Sequence, residues 1–140
     1  MDDKNLIAEA FKAREASYSP YSGFMVGAAL LCKSGKLYHG CNIENAAYSP
    51  TNCAERTAFF KAVSDGERDF SAIAIVGAPR GAAPVDFGYA YPCGVCRQVM
   101  EEFCDPDTFR VITARSTEEY YAYTLNELLP HGFGPADLHK

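Results

Sequence analysis

Three cysteines constrain this chain more than anything else in it. Cys53 opens the run Cys53-Ala54-Glu55-Arg56, while Cys93 and Cys96 lie in Pro92-Cys93-Gly94-Val95-Cys96-Arg97. Each run sits where loop signals give way to a helical pattern. Helix N-termini stabilise thiolates through free backbone amides and the helix dipole. Residues three apart share a helix face, so the Cys93 and Cys96 sulfurs can address one point. If Cys53 addresses it too, the fold must bring two helix starts together on one side of a sheet. That set offers three donors. Structural zinc sites normally close with four, whereas catalytic ones keep a position open. No fourth cysteine is spaced with Cys53 as in a zinc finger. Glu55, two residues beyond Cys53, can reach the open position as a proton carrier.

The other cysteines, Cys32, Cys41 and Cys104, read as core or strand thiols. An even count of six permits three disulfides, but in a reducing compartment it more often means metal ligands plus buried thiols. The net charge of -5 comes with no basic stripe, so nucleic acid is a poor default partner. No apolar run is long enough for a signal peptide or a membrane span, so a cytoplasmic location without a membrane partner is expected. At 140 residues, with no repeat or linker, the chain 1–140 is expected to form one domain.

The pattern predicts a helix over 3–17, with Leu6, Ile7, Ala10, Phe11 and Arg14 at helical spacing. A hairpin follows, with strands at 24–32 and 37–41 and a turn at Lys33-Ser34-Gly35-Lys36. The apolar first strand is expected to be covered on both faces. Residues 42–52 read as polar and irregular, 53–63 as a helix closed by Ser64-Asp65-Gly66, and 71–76 as a strand. A loop over 78–92 leads to a helix at 94–103, then strands at 108–114 and 118–123. Thr124-Leu125-Asn126-Glu127 has the form of a capping box. Strands interleaved with helices, one pair of strands being a hairpin, give an α/β layered domain around a mixed sheet of about five strands.

With these motifs in order, the chain resembles the small homo-oligomeric cytidine deaminase family. Cys-Ala-Glu-Arg at 53–56 and Pro-Cys-x-x-Cys-Arg-Gln at 92–98 match its two zinc motifs. Cys41-Asn42-Ile43-Glu44-Asn45-Ala46 matches its nucleoside-binding segment, Phe24-Met25-Val26-Gly27-Ala28 the strand before it, and Leu128-Leu129-Pro130 with Phe133 its C-terminal end. The resemblance implies a three-layer α/β fold with helices on both faces of the five-stranded sheet. It implies Zn²⁺ held by Cys53, Cys93 and Cys96, with Glu55 as catalytic proton shuttle and Arg56 hydrogen-bonded to the thiolates. Asn42 and Glu44 would bind ribose hydroxyls, Phe24 would pack near base and sugar, and the Ala54 backbone would contact the base. Tyr48 and Phe133 would reach a neighbouring subunit's site in a homotetramer. The implied activity is zinc-dependent hydrolytic deamination of cytidine, and of deoxycytidine, to the uracil nucleosides and ammonia, in pyrimidine salvage.

Three other readings are weaker. A nucleic-acid base deaminase would usually place histidine where Cys53 stands and carry a basic surface, and this chain has neither. A deaminase of another aminopyrimidine nucleoside conflicts with the Asn42–Glu44 ribose pair. A structural zinc module conflicts with Glu55 and the missing fourth ligand. One stretch departs from the family pattern: residues 80–91 are long and aromatic, with Phe87, Tyr89 and Tyr91, and Tyr91 stands where many relatives carry serine. Arg97 is expected to pair with Glu101 one turn on.

Overall fold

A computed structural model describes residues 1–139. The first helix, α1 (Asp3–Arg14), starts at Asp2, whose carboxylate accepts from the Asn5 amide at 2.8 Å. The hairpin strands β1 (Phe24–Cys32) and β2 (Leu37–Cys41) have the bounds read from sequence. Helix α2 (Ala54–Ser64) leads to β3 (Phe70–Pro79), and α3 (Gly94–Phe103) leads to β4 (Arg110–Ala114) and β5 (Tyr120–Thr124). Two single-turn helices follow, α4 (Leu125–Leu128) and α5 (Pro135–Leu138). The capping box at Thr124 is formed, with Glu127 as its reciprocal partner.

The five strands lie in the order β2-β1-β3-β4-β5. Only β3 and β4 run parallel, joined through α3; the other neighbours are antiparallel. The sheet is therefore mixed, as its sequence pattern implies. Alternation along β1 sends Ala28, Leu30 and Cys32 to one face and Ala29 to the other, and both faces are buried. On the first face, α2 and α3 cover a core that includes Phe59, Ile73, Met100 and Val111. On the second, α1 lays Leu6, Ile7 and Ala10 over Ala74, Val76 and Ile112. Helices on both faces make the three layers.

Strand β3 runs past 76 to Pro79 because two partners hold it there. Phe24 to Val26 of β1 pair with Gly77 to Pro79. The buried Arg14 guanidinium also donates to the carbonyls of Ala78 at 2.9 Å and Pro79 at 3.0 Å, and its Nε to that of Met25 at 2.9 Å. Its face lies 4.7 Å from the Phe87 ring centre, which pins the 80–91 loop to the same corner. An apolar-spacing argument sees Arg14 only as a helix position. Its capping role depends on carbonyls from remote strands.

Glycines set how closely the helices approach the sheet. A Cβ at Gly27 would lie 2.1 Å from the Ala10 carbonyl oxygen of α1. One at Gly40 would lie 2.2 Å from the Ala54 carbonyl oxygen and 2.6 Å from the Ala58 nitrogen of α2. Both are backbone atoms and cannot swing away, so alanine forces the helix off the strand. Gly40→Ala is expected to destabilise the fold by about 2–3 kcal/mol in urea denaturation. It should also depress whatever activity the start of α2 supports, because Ala54 itself must move. An unchanged denaturation midpoint would show that this approach is loose.

Candidate active site

Cys53 is the N-cap of α2 and Cys93 the N-cap of α3, each in extended backbone just before its helix. Their carbonyls accept the first helical hydrogen bonds, from the Thr57 and Arg97 amides at 3.0 Å each. Neither cap is a serine or aspartate, so neither side chain is used up on its own helix. The sulfurs point instead to a shared place. The Sγ atoms of Cys53, Cys93 and Cys96 all lie within 4.8 Å of one another, and the Cys53–Cys93 separation is 3.8 Å. A tetrahedral ion holding thiolates at about 2.3 Å sets them about 3.8 Å apart. The donor set and its spacing therefore fit zinc. Among the described residues, no other His, Cys, Asp or Glu joins the group. All six cysteines are free thiols, which removes the disulfide alternative.

The electrostatics favour a cation at this point. The Arg56 Nη2 donates to Cys53 Sγ at 3.3 Å. That bond, together with donation from the Cys96 thiol, which has the larger effect, draws the Cys53 pKa down to about 5. Cys96 is pushed the other way by the neighbouring Cys53 sulfur and by burial. Three adjacent thiolates repel one another in a partly dry setting, and a divalent ion relieves that repulsion.

Glu55 sits in the first turn of α2 and is only 4% exposed. Burial lifts its carboxyl to about 7, with the Cys53 charge adding to the effect. A carboxyl balanced near neutrality is suited to taking up and giving back a proton. It lines a cavity of about 300 Å³, together with Phe24, Asn42, Cys53, Ala54 and Cys93. Six of the residues singled out from sequence thus meet in one place. Val26, Thr51, Asn52, Ile75, Ala90 and Tyr91 complete the wall. Of these, Val26 belongs to the strand that matches the family, and Tyr91 carried a sequence signal as a departure from the family pattern.

Asn42 has most of its amide committed to the scaffold. Its Oδ1 accepts from the Val26 amide at 2.9 Å and from the Ser17 hydroxyl, while Nδ2 donates to the Phe24 carbonyl at 2.8 Å. That leaves one N–H of Nδ2 for a ligand. Glu44 lines an adjoining groove of about 370 Å³ with Tyr21, Ser22, Tyr48 and Thr51. Its carboxylate accepts from the Tyr21 and Ser22 amides at 2.9 and 3.1 Å and from the Ser22 hydroxyl, which holds the 20–23 turn.

Tyr48 is 71% exposed and holds a left-handed backbone, φ 61°, unusual for a side chain with a Cβ. It stands edge-on to Tyr21 at 6.2 Å in that groove. Phe133 is 60% exposed and lies outside the cavity of its own chain, with its carbonyl accepting from Gln98 Nε2 at 2.7 Å. Arg97 does not pair with Glu101. Its Nε donates to the Pro92 carbonyl at 2.8 Å and its Nη1 to that of Leu128. It ties the peptide just ahead of Cys93 to α4, a long-range job that spacing within one helix cannot reveal.

The family model for the cytidine and deoxycytidylate deaminase zinc-binding region matches residues 1–112. The chain is 54% identical over 138 residues to the cytidine deaminase of Sporosarcina psychrophila, covering 99% of this chain and 96% of that one. It is 50% identical over 138 residues to the cytidine deaminase of Halalkalibacterium halodurans, covering 99% and 98%. Among solved structures, cytidine deaminase from Burkholderia pseudomallei superposes with a TM-score of 0.84 at 45% identity, over 95% of this chain and 100% of that one. The enzyme from Mycobacterium tuberculosis gives 0.79 at 33% identity, over 96% and 98%.

Proposed function

The chain belongs to the cytidine and deoxycytidylate deaminase family, and on that footing we propose that it hydrolyses the exocyclic amine of cytidine, and of deoxycytidine, to release ammonia. The observation that carries this is the convergence of three thiols, two of which, Cys53 and Cys93, line one cavity of about 300 Å³ together with the buried Glu55 carboxyl.

Cys53, Cys93 and Cys96 would hold Zn²⁺. When bound, the ion supplies Lewis acidity that brings the pKa of water toward neutrality. Glu55 accepts a proton from water at its carboxylate and delivers it to N3 of the pyrimidine ring. A second transfer through the same carboxyl reaches the departing N4 amine. Its pKa near 7 suits both directions of that traffic. Arg56 draws charge off the Cys53 sulfur, offsetting the weak acidity of an all-thiolate site.

Phe24 packs against base and sugar, and the Ala54 backbone meets the base. The remaining Asn42 N–H and the carboxylate edge of Glu44 take the ribose hydroxyls, both groups being already aligned by the bonds that fix their loops. In a homotetrameric working form, the exposed aromatics Tyr48 and Phe133 would complete a neighbouring subunit's site. No helix among the described residues is long and apolar enough to cross a membrane. The proposed role is cytoplasmic pyrimidine salvage.

The test couples metal analysis to a nucleoside panel. About one zinc per chain with ammonia released from cytidine is the expected result. Stoichiometric zinc with no ammonia from any nucleoside would refute the deaminase reading.

A further inference from the structure

The tyrosines around the 80–91 loop are not absorbed by the chemistry above. Tyr91 lines the reaction cavity, two residues before Cys93. Its hydroxyl lies 3.1 Å from that of Tyr123 on β5, and the two rings are 5.9 Å apart. Tyr123 neighbours Tyr121 at 6.3 Å, and Tyr121 neighbours Tyr89 at 5.0 Å. Register explains the cluster. Tyr123 is paired with Val111 and Tyr121 with Thr113, so both stand on the sheet face that carries α2 and α3. The edge strand thus holds Tyr91 by its tip and braces the loop with a second pair of rings.

Position gives this wall its consequence. Resting on the deaminase reading, the reacting carbon must sit where Cys53, Cys93 and Glu55 meet. Only Pro92 separates Tyr91 from Cys93, at most about 7 Å along the backbone. Tyr91 therefore bounds the reacting end of the cavity, whereas Phe24 and Asn42 come from the β1 entry and the 42–52 segment. A substituent on the exocyclic nitrogen would be directed at this end.

We propose that Tyr91, held in place by Tyr123, sets the size limit on the leaving amine, admitting an unsubstituted amino group and rejecting an N4-alkyl one. Tyr91 acts by contact and Tyr123 is a positioning residue. The reaction affected is the same hydrolysis. Water adds at C4 and the C4–N4 bond breaks, giving the uracil nucleoside and methylamine from N4-methylcytidine, where cytidine gives ammonia. An apolar pocket discriminates one methyl group by roughly 10- to 200-fold.

The experiment measures kcat/KM for cytidine and N4-methylcytidine in the wild type, Tyr91→Ala and Tyr123→Phe, with zinc content measured in each. The ratio of N4-methylcytidine to cytidine should rise at least about tenfold in Tyr91→Ala. It should rise by a smaller factor in Tyr123→Phe, which loses one hydroxyl and keeps its ring. A ratio within twofold of wild type in a zinc-loaded Tyr91→Ala that turns over cytidine overturns the proposal. If Tyr91→Ala fails to fold, an unchanged ratio in Tyr123→Phe does so. A wild type that turns over neither nucleoside would instead sink the deaminase reading, and this proposal with it.

Discussion

Glu55→Gln is expected to lose most turnover while becoming more stable than the wild type at alkaline pH. The first effect follows from chemistry. Glutamine keeps the size and polarity of the side chain but carries no transferable proton, and a positioned proton carrier contributes about 10²- to 10⁴-fold. The second follows from burial. Glu55 is 4% exposed, and its folded pKa, about 7, stands well above the ordinary glutamate value. A folded pKa above the unfolded one means that the native state holds this proton more tightly. The stability it confers is complete in acid, below the ordinary value, and is lost as pH rises toward and through 7. At pH 8 the wild type must keep a desolvated carboxylate, whereas glutamine stays neutral at every pH. The variant should therefore be more stable by on the order of 2 kcal/mol at pH 8, with the gap narrowing toward pH 5. Urea denaturation of both proteins at the two pH values, alongside cytidine turnover, reads both effects. A fully active variant would remove the proton-carrying role, and a pH-independent gap would show that burial does not govern this carboxyl.

The sequence displayed the framework of this site better than its finish, and the physical reason is the range of the interactions. The starts of α2 and α3 were legible because local features mark them: Cys53 and Pro92-Cys93 lie directly ahead of runs with helical apolar spacing. The bounds of β1 and β2 were legible because a four-residue turn separates two β-prone runs. Where a partner is remote, the signal vanishes. The extension of β3 to Pro79 depends on Arg14, more than sixty residues earlier in the chain. Arg97 serves Pro92 and Leu128, not its own helix neighbour. The left-handed backbone at Tyr48 is imposed by turns on either side of it, in which the Tyr48 amide reaches the Asn45 carbonyl and the Thr51 amide reaches the Tyr48 carbonyl. Residue type alone argues against that conformation. The same logic applies to Thr51 and Asn52, ordinary polar residues that become cavity wall only because Ile43 pairs with Asn52.

Cys96→Ser should empty the metal site and take both activity and part of the stability with it. Cys96 is the most enclosed of the three thiols, 1% exposed in the first turn of α3, whereas Cys93 is open to solvent and Cys53 is half-buried. Burial and the adjacent Cys53 sulfur hold its proton in place, so a cation must displace that proton before the third thiolate forms. A serine hydroxyl is smaller, harder and far less acidic, and does not stand in for a thiolate toward zinc. Loss of one donor leaves two sulfurs and no closed face on the ion. Metal content should fall from about one per chain to under about a tenth. Cytidine turnover should fall to background. The denaturation midpoint should drop as well, because the ion would tie the N-termini of α2 and α3 together, and metal binding free energy adds to folding free energy. Cys41→Ser separates this from a general loss of thiols. Cys41 is half-buried at the end of β2, away from the cluster, and its replacement should leave the zinc content at the wild-type level. A Cys96→Ser protein with full zinc and full turnover would mean that the three sulfurs do not act as one site.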